Sequence, residues 1–76
     1  MPEERELLPP YLKIAADIEA DIKSGKLAPG AAVPSLNYLS QEYGVARNTV
    51  VRAMNVLKEK GLVTTRQGWG TFVSIP

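Results

Sequence analysis

Apolar residues recur at steps of three and four positions between Tyr11 and Ile22, and charged residues occupy the other face. This period predicts an amphipathic helix that begins near a pair of prolines. The helix is expected to end at Ser24, with Gly25 as its left-handed C-cap.

Two further helices are predicted in the middle of the chain. Ser35 follows a proline and precedes a short apolar pattern, which is typical of a helix N-cap, and Gly44 is expected to end that helix. A third helix is predicted from Arg47 to Lys60, with Gly61 as its C-cap. Its predicted buried stripe consists of Val50, Ala53, Met54 and Leu57. Three rings are expected to pack between the helices, those of Tyr11, Tyr38 and Tyr43. The alternative for each of them is to donate its hydroxyl to a phosphate.

Near the C-terminal end the period changes from that of a helix to that of a strand. Residues 62–66 and 71–75 are β-rich, and a turn at 67–70 with two glycines joins them into a hairpin. Residues 26–34 are predicted to be a connection. A lone hairpin is marginal in water, so this one must pack on the helices. The side chains expected to do so are Leu62, Val63, Phe72 and Val73.

The order of these elements predicts the fold class. Three helices followed by a hairpin indicate a mainly α domain with a small β-hairpin, a winged helix-turn-helix with a two-stranded wing. Residues 10–76 are expected to form this domain, and residues 1–9 a flexible N-terminal segment. A chain of 76 residues allows one small core.

The composition removes several classes of function. The chain has no histidine and no cysteine, and so lacks the usual general base and the usual zinc ligands. We therefore expect no enzymatic activity, no metal site and no cofactor. No apolar run is long enough to span a membrane, and the polar start is unlike a signal peptide. A cytoplasmic protein without membrane contact is the prediction.

The charge is unevenly distributed, although the net value is only +1. Residues 1–32 carry four basic and six acidic side chains, whereas residues 33–76 carry five basic and two acidic ones. The second part is therefore the one suited to a polyanion. Charge alone favours an ordinary solvated surface, because this excess is far below that of strongly basic nucleic-acid-binding domains.

The start of the third helix carries three polar side chains in succession. Arg47 suits guanine O6 and N7, Asn48 suits adenine N6 and N7, and Thr49 suits a base or a thymine methyl group. Arg52 lies one turn beyond Asn48, where it is expected to meet the flanking phosphate backbone. Solvated residues or helix caps are the alternative, but the basic half and the hairpin that follows favour DNA.

The predicted hairpin tip carries the only tryptophan of the chain. Glycines let a backbone approach a phosphate closely, and an arginine there suits a phosphate or a minor groove. The tryptophan ring either stands exposed or folds back on the core, and the residues leave both arrangements open. The tip residues predicted to contact DNA are Arg66, Gln67, Gly68, Trp69, Gly70 and Thr71.

Five motifs follow one another at set distances: LAPG at 27–30, VPS at 33–35, GVARNTV at 44–50, LKEKGLV at 57–63 and QGWGTFV at 67–73. In combination they resemble the N-terminal winged-helix domain of the GntR family of bacterial transcription regulators, over about residues 10–75. The resemblance implies DNA binding at a short inverted repeat, usually as a dimer, with repression as the common effect. A bacterial nucleoid location is implied with it.

Matched by position, the resemblance assigns roles to individual residues. It implies that Ser35 lies near the phosphate backbone and that Arg47 and Thr49 open the recognition helix on the operator. It also implies that Gly68 and Gly70 approach the minor groove.

The sequence departs from the family pattern at four points. Asn37 stands where an arginine is usual, and Ala46 replaces a serine N-cap. Val51 and Trp69 occupy positions where a basic residue is usual. We expect Asn37 to hold the DNA backbone through its shorter amide, and we expect a shallower salt dependence than a typical relative shows.

We therefore predict a sequence-specific DNA-binding transcription regulator whose partner is double-stranded DNA, with a homodimer as one possible state. Family members usually continue into an effector-binding domain. This chain ends after the wing, so none is expected in it, whether it is a short protein or an N-terminal fragment. The alternative is a winged-helix protein-interaction module without specific DNA binding, because a fold does not fix a function.

Overall fold

The structure, a computed structural model, describes residues 8–75. Most of the segment predicted to be flexible, residues 1–9, lies outside this range. The elements are α1 (Pro10–Ser24), α2 (Leu36–Tyr43), α3 (Arg47–Glu59), β1 (Val63–Arg66) and β2 (Gly70–Val73). Three helices and a two-stranded antiparallel sheet confirm the predicted winged helix-turn-helix. No helix within residues 8–75 is long and apolar enough to cross a membrane.

Local signals fix the ends of the first two helices. Pro10 occupies the first turn of α1, where its missing N–H is not needed, and Gly25 follows the last turn at φ 88°. The Ser35 hydroxyl accepts a hydrogen bond of 3.0 Å from the Tyr38 backbone N–H, which caps α2. Such a cap stabilises a domain by about 1 kcal/mol. Gly44 closes α2 in the left-handed conformation, as predicted.

α3 ends one residue before the predicted end. Lys60 keeps a right-handed conformation, and its N–H reaches the Val56 carbonyl over 3.1 Å, so it is the C-cap and not the last helical residue. The chain turns left-handed at Gly61, with φ 74°. The C-cap is therefore Lys60 and not the predicted Gly61, which is instead the left-handed residue that follows the C-cap.

The core forms around α3, which packs against α1 on one side and α2 on the other. Its buried stripe is the predicted one. The buried apolar residues are Ile14, Ala15, Ile18, Val33, Leu39, Val50, Ala53, Met54, Leu57, Val63 and Val73. Because β1 and β2 each contribute one of them, the wing is anchored to the helices at its base.

A third extended segment, which was not predicted from the sequence, pairs with the wing. β1 and β2 pair antiparallel, and the predicted connection before α2 pairs with the other edge of β2. The Val33 N–H donates to the Thr71 carbonyl over 2.8 Å, and the Val73 N–H donates to the Ala31 carbonyl over 2.8 Å. Prolines on both sides leave an extended piece too short to show a strand period. It nevertheless holds the wing beside the start of α2.

Phe72 does not make the predicted contact with the helices. Val63 and Val73 face the core, and side chains alternate along a strand, so Phe72 and its partner Thr64 face the opposite side of the sheet. The prediction was wrong because both residues of the apolar pair at 72–73 were assigned to one face. Leu62 and Val63 do pack on the helices.

The tyrosines divide between the core and the surface. Tyr11 and Tyr43 pack against the core, and the Tyr43 hydroxyl donates to the Asp17 carboxylate over 2.9 Å, which ties α2 to α1. Tyr38 is 55% exposed, contrary to the prediction. It lies in the first turn of α2, turned about 100° around the helix axis from the buried Leu39.

A charged cluster joins α1 to the end of α3. The Glu19 carboxylate accepts hydrogen bonds from Lys60 at 2.9 Å and from Lys23 at 3.0 Å. The bond from Lys60, with that from Lys23, lowers the pKa of Glu19 below its ordinary value of 4.5. A group with a lowered folded pKa adds stability above its unfolded pKa, and this is lost as the pH falls through the folded value.

We expect Glu19→Gln to lower the free energy of unfolding at neutral pH by less than about 1 kcal/mol, because the ammonium groups are exposed. The difference from wild type should shrink as the pH falls below about 4.5. Urea unfolding at pH 7 and at a pH below the folded value measures it. Glu42→Gln, at an exposed position of α2, is the control. A difference that stays constant with pH would contradict the role of the ion pairs.

Candidate nucleic-acid interface

Most of the predicted site residues line one cleft between the wing and the starts of α2 and α3. We call it the inner cleft. The site residues that line it are Ser35, Asn37, Arg47, Arg66, Gln67, Gly68, Trp69, Gly70 and Thr71. Asn48, Thr49 and Arg52 do not line it. The extended segment around Ala32 makes this arrangement, because its pairing with β2 fixes the distance between the wing and the start of α2.

The inner cleft is positively charged. Arg47 extends from α3 and Arg66 from β1, and the residues that line the cleft include no aspartate or glutamate. Field lines from like charges concentrate in such a concave surface. The modest net charge of the chain therefore understates the charge of this surface.

The N-terminal end of α3 is open to a ligand. Arg47 and Asn48 are exposed, and Thr49 is half-buried. Ala46 provides no side-chain cap, so the first backbone N–H groups of α3 have no side-chain acceptor there. A helix start with free N–H groups carries a partial positive charge that suits an anion.

The wing tip is a tight turn with its tryptophan outside. The Trp69 N–H donates to the Arg66 carbonyl over 2.9 Å, and Gly68 and Gly70 adopt φ of 82° and 114°, where a side chain would strain the backbone. The Trp69 side chain is 80% exposed. The ring therefore does not fold back on the core, which decides between the two arrangements that the sequence left open.

Arg52 has a partner that the sequence analysis did not foresee. Its guanidinium lies 4.1 Å from the centroid of the Tyr11 ring, so the two form a cation–π pair between α3 and α1. Arg52 lies five positions after Arg47, which turns its side chain toward α1 and away from the inner cleft. The pair places a cation beside the start of α1.

Three exposed residues near these elements were not among the predicted site residues. Val51 on α3 is 36% exposed, and Asn55 lies exposed one turn further along. Tyr38 is exposed on α2. The helical period marks Asn55, because Asn48, Arg52 and Asn55 fall on the side of α3 opposite its buried stripe.

A short helix, a glycine turn and a second helix with a polar start, next to a basic hairpin, define a winged helix-turn-helix domain of the DNA-binding class. The chain matches the family model described as "Bacterial regulatory proteins, gntR family" over residues 10–73. It therefore belongs to the gntR family of bacterial regulatory proteins.

Curated relatives are similar over this domain alone. The HTH-type transcriptional regulator GgaR of Escherichia coli (strain K12) is 41% identical over 66 residues, which are 87% of this chain and 27% of GgaR. The HTH-type transcriptional repressor NagR of Bacillus subtilis (strain 168) is 36% identical over 91% of this chain and 28% of NagR. The chain thus spans about a quarter of the length of these relatives.

Solved structures confirm the fold and the class. AraR(DBD) in complex with operator ORR3 matches with a TM-score of 0.86 and 38% identity, covering 90% of this chain and 82% of that one. YtrA from Sulfolobus acidocaldarius, a GntR-family transcription factor, matches with a TM-score of 0.85 and 31% identity, covering 92% of this chain and 73% of that one. The fold of this chain is thus that of family members, one of them crystallised with an operator.

Proposed function

We propose that this chain reads an operator as the sequence-specific DNA-binding domain of a transcription repressor. The observation that carries the proposal is the inner cleft, in which the start of α3 and the wing tip present two arginines and no carboxylate to one surface. The complex of AraR with an operator and the repressor NagR support DNA and repression, respectively. The place of action is the cytoplasm, at the bacterial nucleoid.

The base contacts come from the start of α3 in the major groove. Arg47 donates to guanine O6 and N7, Asn48 pairs with adenine, and Thr49 contacts a base or a thymine methyl group. The first two are exposed at the uncapped end of the helix, which is the geometry that base-edge contact needs. Val51 adds an apolar surface that suits a thymine methyl group.

The remaining site residues hold the DNA in place. Ser35 and Asn37, at the start of α2, contact the phosphate backbone of one DNA strand. Arg52, which lies beside the start of α1, also contacts the DNA backbone. The wing, from Arg66 through Gln67, Gly68, Trp69 and Gly70 to Thr71, lies in or beside the adjoining minor groove. The two glycines keep the backbone free of side chains where it passes closest. Phosphate contacts of this kind set register and orientation but carry no sequence information.

The operator is a short inverted repeat, and two copies of the domain occupy its halves as a homodimer. A single domain of this size contacts one half-site and binds it weakly. Operator symmetry matches the two-fold symmetry of a dimer.

Selection of duplexes from a random DNA pool tests the proposed function. An enriched inverted repeat would support operator reading by a dimer, and an enriched single half-site would support reading by a monomer. No enrichment at low salt would contradict sequence-specific binding.

The exposed Trp69 gives weight to one alternative, a protein-interaction module on the same fold. In that case Trp69→Ala would abolish a protein complex and leave DNA affinity unchanged. An enzymatic role has no such observation in its favour.

The Tyr11–Arg52 pair leads to a prediction on affinity. We expect Tyr11→Ala to weaken DNA binding about two- to fivefold, because a cation–π pair whose guanidinium is exposed contributes about 0.5–1 kcal/mol to holding Arg52 in place. Tyr11→Phe keeps the ring and should bind as wild type does. Fluorescence anisotropy with the selected duplex measures both. Equal losses in the two variants would instead assign the effect to the hydroxyl group.

A further inference from the structure

The most exposed of the large apolar side chains in residues 8–75, Trp69, occupies the crest of the wing. Trp69 is 80% exposed and lines the inner cleft on one side. On its other side it lines a second concave surface on the outer face of the wing, whose walls include Phe72 and Ile75. The ring thus stands between two hollows and is covered by neither.

The backbone that carries this ring is held in place. The turn is closed by the hydrogen bond from the Trp69 N–H to the Arg66 carbonyl, and Arg66 pairs directly with Gly70 across the hairpin. The base of the wing is held by Val63 and Val73 in the core. An anchored aromatic side chain loses little conformational freedom on binding, because it has only two side-chain torsions.

The chemistry of the tip sets the kind of contact it can make. Arg66 is the one basic residue among those of the wing that line the two clefts, and it lies at the base of the turn, behind Trp69. The foremost group is therefore an apolar ring with a cation beside it. A polyanion reached by this tip meets the ring first and the charge second, so the contact is one of stacking more than of charge.

We propose that Trp69 enters the minor groove as an apolar wedge at a base step. The wing then prefers A·T sequence that is easily deformed to A·T sequence that is stiff and has a narrow minor groove. This inference rests on the proposed function. Wedges of this type partly unstack a step and kink the duplex, and TA steps yield to it most easily. An arginine or lysine at the same place would prefer the stiff A-tract, whose narrow minor groove attracts cations.

Two duplexes of equal base composition separate these preferences: alternating poly(dA-dT), which is rich in TA steps, and poly(dA)·poly(dT), which has none. Wild type should bind the alternating duplex several-fold more tightly, with quenching of tryptophan emission, which Trp69 alone produces. Trp69→Ala should bind the alternating duplex about 5- to 100-fold more weakly, with the same salt slope. Trp69→Lys should prefer poly(dA)·poly(dT) and steepen the slope by about 0.9.

Ile75→Ala is the matched control, since Ile75 is 75% exposed two residues after β2, away from the tip, and it should bind as wild type does. If Trp69→Ala keeps wild-type affinity for both A·T duplexes while Arg47→Ala loses affinity for the duplex selected from the random pool, the wedge is wrong and the proposed function stands. The wedge is also wrong, and the proposed function stands, if Trp69→Ala loses the same affinity for the alternating duplex as for poly(dA)·poly(dT). If wild type binds the selected duplex but neither A·T duplex at low salt, the wedge is again wrong and the proposed function stands. If wild type binds none of the three duplexes at low salt, the wedge falls together with the proposed function.

Discussion

Replacing Leu57 with alanine is expected to leave this domain at the edge of unfolding at physiological temperature. Leu57 is fully buried on α3, at the centre of the core. Truncation of such a leucine costs about 2–5 kcal/mol. A chain of 76 residues has a total stability of about 4–11 kcal/mol, so the loss takes a large part of it. Urea unfolding followed by far-UV circular dichroism measures the change, because Trp69 is already exposed in the folded state and reports poorly.

The control for this prediction is Ile75→Ala, which removes the same number of carbon atoms from an exposed position. Its cost should stay within about 0.5 kcal/mol. The DNA affinity of Leu57→Ala should recover at low temperature, where more of the population is folded. A midpoint of urea unfolding equal to that of wild type would show that the core relaxes around Leu57 and that our assignment of the centre is wrong.

The parts of the fold that the sequence predicted are those specified by neighbouring residues. The Ser35 cap, the glycine that ends α2 and the apolar stripe of α3 each depend on residues within one or two turns. The same holds for the hairpin, whose turn is closed by the Arg66 and Trp69 backbones. Because these signals agree with one another, the order of elements followed from the sequence without knowledge of long-range contacts.

The parts that were missed depend on partners far along the chain. The segment around Ala32 is extended only because it pairs with β2, and no residue near position 32 indicates that pairing. Phe72 faces outward because Val73 is required in the core, and the apolar pair itself does not say which of the two is buried. Arg52 meets Tyr11 through the packing of α1 on α3. These contacts decide where the candidate site residues stand relative to one another.

The structure also explains how a chain of net charge +1 presents a basic surface. Two of the three acidic side chains of α1 have partners elsewhere: Asp17 accepts from Tyr43 of α2, and Glu19 accepts from Lys60 after α3. The arginines at the start of α3 and on β1 share a cleft with no carboxylate among its lining residues. Charge is thus segregated by packing, and the surface that faces DNA in our proposal is more basic than the composition indicates.

Arg47→Ala should cause the largest loss of sequence discrimination on DNA. We expect a loss of about 1–3 kcal/mol on the selected duplex, with relaxed preference at one base pair, because an exposed arginine at the start of α3 fits the two acceptors of guanine. Affinity for a duplex of scrambled sequence should fall much less. Anisotropy titrations of both proteins with both duplexes measure the four affinities, and the ratio of the two losses isolates the base contact.

Two further variants separate base reading from charge. Arg47→Lys keeps the charge but not the planar fork, so it should retain the salt slope and still lose discrimination. Lys58→Ala removes a cation from the last turn of α3, far from its open end, and should leave the preference intact. If Arg47→Ala instead weakened both duplexes equally and reduced the salt slope by about 0.9, Arg47 would be a phosphate anchor. Asn48 and Thr49 would then have to supply the specificity, and the operator would lack the guanine that we expect opposite Arg47.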